Sequence, residues 1–366
     1  MDKKFKINQS DIQNNVSVLR EKAQGARIYA VLKGNAYGMG TIPFAKALYT
    51  CGIRHFAFTS LCDSILIKNE LKDAGILLLT PCYLESDIES AITNDITLSV
   101  DSLENAKKID EIAEKQNKTA NIHIKVDTGM GRYGFLPSNI EQIADVCKLK
   151  NIYAEGIFTH LHSAFNKKER PSIGQFNLFT YTISELSKLG TTFEISHICN
   201  STAIFRFPQM HLTAVRAGSA LIGRVNETCG DTNLCKVGTL YATVTDIRIL
   251  PKGHNIGYAA LYKTNCNTKI AAVNVGYADG IAVTKANDTF RFIDILRYGF
   301  NDFKLLFKPN TLICRINGKP AKSLGRIGMT NLVLDVSLVD DIKVGDTVEI
   351  PVNPIYLSPI IERDYN

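Results

Sequence analysis

Eight short apolar runs, each separated from the next by a stretch of different character, constrain this chain more than any other feature. The runs lie at 29–33, 55–59, 76–80, 96–100, 122–126, 153–160, 193–197 and 212–216. Between most of them, apolar residues recur at helical spacing beside charged faces, as in DSLENAKKIDEIAEKQ and SIGQFNLFTYTISELSKLG. Parallel strands need a covering crossover between neighbours, and eight strand–helix alternations predict an α/β fold, a closed (β/α)8 TIM-type barrel. A doubly wound open sheet competes with it, but no GxGxxG follows the first run, which counts against that arrangement.

The texture changes at GRVNETCGDTNLCKVG, residues 223–238, which has no periodicity. Beyond it, TLYATVTDIRIL, KIAAVNVGYA, TLICRING and DTVEIPVN alternate apolar and polar residues between turn signals such as PKGHN and NGKP. That pattern predicts a mostly antiparallel β domain. The expected division is residues 1–230 for the barrel and 231–366 for the β domain, with the first few residues free to pair with the latter.

Composition narrows the function classes. The net charge of +6 comes from 42 basic and 36 acidic side chains scattered along the chain without a basic block. A nucleic-acid partner is therefore not expected, while anionic small ligands are favoured. Nine cysteines without a CxxC pair point to reduced thiols, and no metal site is predicted. The start, MDKKFKINQSDIQ, is too polar for a signal peptide, and no run reaches membrane-spanning length. A soluble, cytoplasmic protein is the expectation.

Ligands of a barrel sit at the C-terminal ends of its strands, so the residues that end the runs matter most. They are Lys33, Lys125 with Asp127, His160, His197 with Asn200 and Ser201, and Arg216 followed by Gly218. A lone lysine ending an apolar run is ordinarily a surface lysine. Ionisable groups gathered on one rim favour the alternative, an amine that bonds to a carbonyl cofactor. Gly218 and Ser219 follow the eighth run, where barrels bind phosphate through free backbone N–H groups, and Ser201 after the seventh adds a hydroxyl.

The segments AVLKGNAYGMG, IKVDTGMGRYGF, FTHLHSA, HICNSTA, VRAGSALIG, NIGY, VGYADG and LGRIGM together resemble the alanine racemases, in order and approximate spacing, over residues 5–340. The catalytic portion of the vancomycin-resistance serine racemases, in the same family, is similar too. The resemblance implies a head-to-tail homodimer with shared active sites and pyridoxal 5'-phosphate as cofactor. Lys33 would hold the cofactor covalently; Tyr37, Ser201 and the amides of Gly218 and Ser219 would reach its phosphate, with Asn200 alongside. Arg216 would face the pyridine nitrogen and Arg132 the phenolic oxygen. Lys125 matches a lysine that is often carbamylated to hold that arginine, and His160 would link Arg216 to Tyr258. Tyr258 would come from the partner subunit, and Tyr277 and Met329 would border the substrate with Arg132.

These residue types suit the chemistry. Racemisation removes the α-proton on one face of an amino acid and returns one on the other, so it needs two acid–base groups, here Lys33 and Tyr258. A phenol serves near neutral pH only with positive charge nearby, which Arg216 would supply through His160. An arginine at the pyridine nitrogen disfavours ring protonation and restrains side reactions. The expected activity is interconversion of L- and D-alanine, supplying D-amino acid for peptidoglycan.

Several positions depart from the family pattern. An aspartate is replaced by Phe165, a Met-Asp-Gln by Met329-Thr330-Asn331, and IAVTK follows GYADG. The C-terminal segment lacks the family's final tyrosine; Asn353 and Ser358 are candidates for its place. More room there predicts that L-serine is accepted alongside L-alanine. Two other readings compete: a non-catalytic cofactor-binding barrel, disfavoured by the β domain, and a decarboxylase, disfavoured by Arg216 where an acid is needed.

Overall fold

The computed structural model of the protein describes residues 3–287, 290–305, 307 and 311–366. Contacts divide the chain into two units, Asn8–Val237 and the N-terminal strand with Gly238–Asn366. That division falls seven residues beyond the 230/231 boundary expected from sequence. The stretch read as a linker is tied back by Asn15: its Nδ2 donates to the carbonyls of Leu221 and Cys235, and its Oδ1 accepts from the Cys235 N–H.

Strand β1 (Lys3–Ile7) belongs to the second unit. The first unit is the closed parallel barrel: β2 (Arg27–Val31), β3 (His55–Phe58), β4 (Gly75–Leu78), β5 (Thr97–Val100), β6 (Ala120–Lys125), β7 (Ile152–Phe158), β8 (Ile195–His197) and β9 (Ala214–Ala217). Pairs from Arg27↔Ala214 to Ala30↔Ala217 close the ring between β2 and β9. Tyr29, Val31, Ala57, Leu77, Ile195 and Ala214 form one buried cluster. Each large apolar side chain so buried contributes roughly 1.5–3 kcal/mol.

The strands sit slightly off the runs read from sequence, for local reasons. Leu212 has φ +53°, which no strand residue adopts, so β9 begins later, at Ala214. Pairing of β2 begins at Arg27 and stops at Val31, so Lys33 stands two residues beyond the sheet. The covering helices follow their spacing. In Leu103–Lys115 the buried residues Ala106, Ile109, Ile112 and Ala113 lie on one face, and Ser102 Oγ caps the start by accepting from the Asn105 N–H at 3.1 Å.

The second unit contains β10 (Thr239–Leu250), β11 (Asn255–Ile256), β12 (Tyr262–Lys263), β13 (Thr268–Val273), β14 (Ile313–Ile316), β15 (Lys319–Leu324), β16 (Leu332–Asp335), β17 (Thr347–Ile350) and β18 (Arg363–Tyr365). Its sheet runs β13-β16-β15-β14-β17-β10-β1-β18, antiparallel except at β1–β18. Lys3 to Lys6 pair with β10; residues 1 and 2, included in the sequence expectation, lie outside the described residues. A bulge between Val244 and Asp246 lets β10 pair with β17 along its first half and with β13 along its second. A helix at Phe292–Leu305 interrupts this unit; the sequence reading left it out.

Candidate active site

The barrel unit holds a cavity of about 600 Å³ at the C-terminal ends of its strands. Ten residues singled out from sequence line it: Lys33, Tyr37, Lys125, Arg132, His160, Asn200, Ser201, Arg216, Gly218 and Ser219. Four of them are strong bases, and no acidic residue is among the lining residues. A concave site with this charge favours an anionic ligand.

Lys33 owes its place to an uncommon turn. Gly34, Asn35, Ala36, Tyr37 and Gly38 all have positive φ, from +52° to +86°, so the chain makes one left-handed turn after β2. Left-handed helical geometry costs roughly 1–2 kcal/mol for each residue bearing a Cβ. Hydrogen bonds offset part of this: the Tyr37 N–H donates to the Lys33 carbonyl at 2.8 Å, the Gly38 N–H to Gly34 at 3.1 Å, and the Thr41 N–H to Asn35 Oδ1 at 3.1 Å. Strain of this kind concentrates where a side chain must be aimed. Nothing in the sequence beyond GNAYG hinted at the reversed hand. It carries the Tyr37 hydroxyl over Gly218, where a Cβ would come within 2.2 Å of the phenolic oxygen.

Opposite the turn, Ser201 Oγ accepts from the N–H groups of Gly218 at 2.8 Å and Ala220 at 3.2 Å. With its lone pairs engaged, its hydroxyl proton is left to donate to a ligand. The Gly218 N–H is thus committed to Ser201. Asn200 caps the short helix Ser201–Arg206 by accepting from the Ala203 N–H at 3.2 Å. Burial pushes the Tyr37 phenol up to about 12, so it too remains a proton donor.

Burial, then Arg132, lowers the Lys33 amine below the ordinary lysine value. The Lys33 side chain nonetheless reaches solvent through the cavity mouth. Lys125 is lowered to about 8 by burial, then by Arg216 and Arg132, and packs over the rings of Phe158 and Tyr133. Arg132 sits in a loop that Asp127 shapes: its carboxylate accepts from the N–H groups of Gly129, Met130 and Gly131. Burial would raise the Asp127 carboxyl, but these donations prevail and hold it below the usual carboxylate range.

Arg216 lies on the floor, only 3 % exposed. It donates to the carbonyls of Thr159 at 2.7 Å, His197 at 3.2 Å and Ile198 at 3.2 Å, and to Nδ1 of both His197 and His160, the latter at 3.3 Å. Burial lowers Arg216 to about 10, which leaves it charged at neutral pH. Burial and the surrounding cations push His160 down to about 3, so it is neutral. His197 is buried and hydrogen bonded on both ring nitrogens, and it is not among the residues lining the cavity.

Five of the sequence candidates, Tyr258, Tyr277, Met329, Asn353 and Ser358, belong to the second unit. Tyr258 begins the short turn Tyr258–Ala260 between β11 and β12, its side chain two-thirds exposed. Tyr277 and Met329 lie in two loops tied by hydrogen bonds from the Tyr277 N–H to Gly328 and from the Ala278 N–H to Met329. Asp279 secures the first loop, accepting from Lys3 Nζ at 2.7 Å and the Gly276 N–H at 3.0 Å. Asn353 caps Pro354–Tyr356, and the Ser358 N–H donates to the Asp279 carbonyl.

The cavity has walls the sequence reading did not assign. Thr59, Thr80, Met130 and Tyr133 line it, as does Phe165, noted only as a departure. Thr59 and Thr80 each end one of the apolar runs, and that position was signal enough to find them.

Comparison with known proteins bears on the family and the fold. The family described as "Alanine racemase, N-terminal domain" matches residues 7–225, and "Alanine racemase, C-terminal domain" matches 237–354. An alanine racemase of Methanococcus maripaludis is 35% identical over 353 residues, 94% of this chain and 87% of that protein. The solved structure of an alanine racemase from Clostridium difficile 630, 27% identical, superposes with a TM-score of 0.87 over 100% of this chain and 96% of that one. The fold is shared as well with an alanine racemase from Bartonella henselae with covalently bound pyridoxal phosphate, at 22% identity and a TM-score of 0.82 over 100% of both chains.

Proposed function

The chain belongs to the alanine racemase family, and from that premise we propose that it interconverts L- and D-alanine with pyridoxal 5'-phosphate held in the barrel cavity. One observation carries the reading: a lysine amine of lowered pKa shares a cavity with a buried arginine whose partners are carbonyls and imidazoles. The residues fit the cofactor. Cationic walls suit its phosphate, the absence of a side chain at Gly218 leaves space under Tyr37, and Lys33 is a competent nucleophile for its aldehyde. Pyridoxal phosphate, when bound, supplies an electron sink that makes the α-hydrogen of an amino acid acidic.

The chain's own residues do the rest. Lys33 Nζ takes or returns the proton on one face of the substrate. On the other face this role falls to Tyr258 Oη of a second copy, in a homodimer with shared sites; its exposure leaves it available for that. His160 accepts from Arg216 at Nδ1, so its proton rides on Nε2 and is free to donate to the phenol oxygen. Arg216 would keep positive charge at the ring nitrogen and disfavour its protonation. Ser201, Tyr37 and the Ser219 amide would hold the phosphate, with Arg132 at the phenolic oxygen. Neutral amine at Lys125, abundant near pH 8, is the form that combines with carbon dioxide, and a carbamate there would give Arg132 an anionic partner. Tyr277 and Met329 border the substrate. The product serves cell-wall precursors, in the cytoplasm; among the described residues no helix is long and apolar enough to cross a membrane.

The test is a chiral assay of the cofactor-loaded protein on L-alanine and L-serine. Racemisation of L-alanine is expected, with L-serine turned over more slowly but above background. No D-alanine from L-alanine would overturn the reading, and a serine rate at background would remove L-serine from the substrate range.

A further inference from the structure

Arg216 opens a line of polar groups that runs away from the cavity through the barrel interior. Its Nη1 donates to Nδ1 of His197. A guanidinium has no lone pair to offer, so a neutral His197 must accept at Nδ1 and carry its proton on Nε2. That Nε2 lies 2.9 Å from Nδ1 of His123, which by the same logic accepts there and carries its own proton on Nε2. His123 Nε2 faces Glu155 Oε2 at 3.5 Å, and Glu155 Oε1 lies 3.6 Å from Arg27 Nη1, at the start of β2. Donation thus runs one way, from a guanidinium at the cavity through two imidazoles, and leaves His123 Nε2–H without a hydrogen-bond partner, facing the Glu155 carboxylate at the opposite end of the barrel.

The backbone is bent to accommodate this line. The register of β6 on β7 slips between Ile122 and His123, leaving Glu155 as the extra residue of a bulge. The next residue is Gly156, where a Cβ would come 2.7 Å from the His123 ring. The rings of Phe158 and Tyr29 stack on His197, at 4.9 and 5.5 Å between centroids. Both histidines are fully buried, and burial lowers both below the ordinary imidazole value. Glu155 is held below the usual carboxylate range, first by the His123 donor.

We propose that His123 and Glu155 are positioning residues for the racemisation: acting through His197, they hold the one imidazole tautomer that can accept from Arg216. The opposite tautomer would set an N–H against the guanidinium N–H and turn Arg216 off its aim. This rests on the role of Arg216 given above.

Imidazole ¹⁵N NMR on histidine-labelled protein, with and without pyridoxal phosphate, tests it, the His197 signals being assigned by their loss in His197→Gln. His197 and His123 should both show protonated Nε2 and bare Nδ1, and a protonated Nδ1 on His197 overturns the proposal. Asparagine and leucine have nearly the same shape, but only asparagine offers an acceptor where Nδ1 of His123 stands. His123→Asn should therefore keep the His197 tautomer and hold kcat within about threefold of wild type, whereas His123→Leu should mix the tautomers and lower kcat about 10- to 100-fold at similar KM. Equal kcat in the two variants overturns the proposal; should His123→Leu fail to fold, the wild-type spectrum still decides. Because the tautomers are read without turnover, an inactive wild type would sink the assigned reaction and leave this measurement standing.

Discussion

Lys33→Ala is expected to abolish racemisation and covalent attachment of the cofactor together. The amine stands two residues beyond β2, where the left-handed turn begins, and its lowered pKa makes its neutral, nucleophilic form more accessible. Loss of one positioned proton carrier alone costs roughly 10²–10⁴ in rate, and loss of the attachment point adds to it. After borohydride reduction in the presence of pyridoxal phosphate, the wild-type peptide containing Lys33 should gain the mass of the cofactor, and no peptide of the variant should. Labelling of another lysine in the wild type would contradict the assignment.

Tyr258→Phe should give the second large effect, and of a different kind. The cofactor should still attach, because no part of the barrel cavity is altered, while kcat falls roughly 10²–10⁴. With one face still served by Lys33, one enantiomer of alanine should exchange its α-hydrogen with deuterated water at a rate well above that of its mirror image. Equal exchange of both enantiomers in the variant would exclude the phenol as a proton carrier. The Tyr258 side chain is exposed and supports no core, so the substitution leaves folding intact.

The barrel was legible in sequence because apolar runs and helical spacing are local signals, and each strand end marked a rim position. Of the rim residues read from strand ends, Lys33, Lys125, His160, Asn200, Ser201, Arg216, Gly218 and Ser219 line one cavity, together with Tyr37 and Arg132, which the family resemblance supplied; Asp127 and His197 do not line it. What escaped was, with one exception, non-local or stereochemical. The turn at residues 34–38 depends on backbone hand, which composition does not encode. The helix Phe292–Leu305 was passed over inside a domain read from its strands, although its apolar residues recur at helical spacing. The line from Arg216 to Glu155 joins strands β9, β8, β6 and β7, and rests on a register slip that only pairing reveals. Gly218 and Ser219 illustrate the middle case: their place after the last strand was readable, but not that the Gly218 N–H is committed to Ser201.

The central claim is that one catalytic centre takes its amine from one copy of the chain and its phenol from another. Mixing equal amounts of Lys33→Ala and Tyr258→Phe protein, each nearly inactive, under conditions that allow subunit exchange measures this directly. Half of the dimers would then pair unlike subunits, and each of those would hold one intact site of two, so about a quarter of the wild-type rate should return. A mixture no more active than its components would contradict the account.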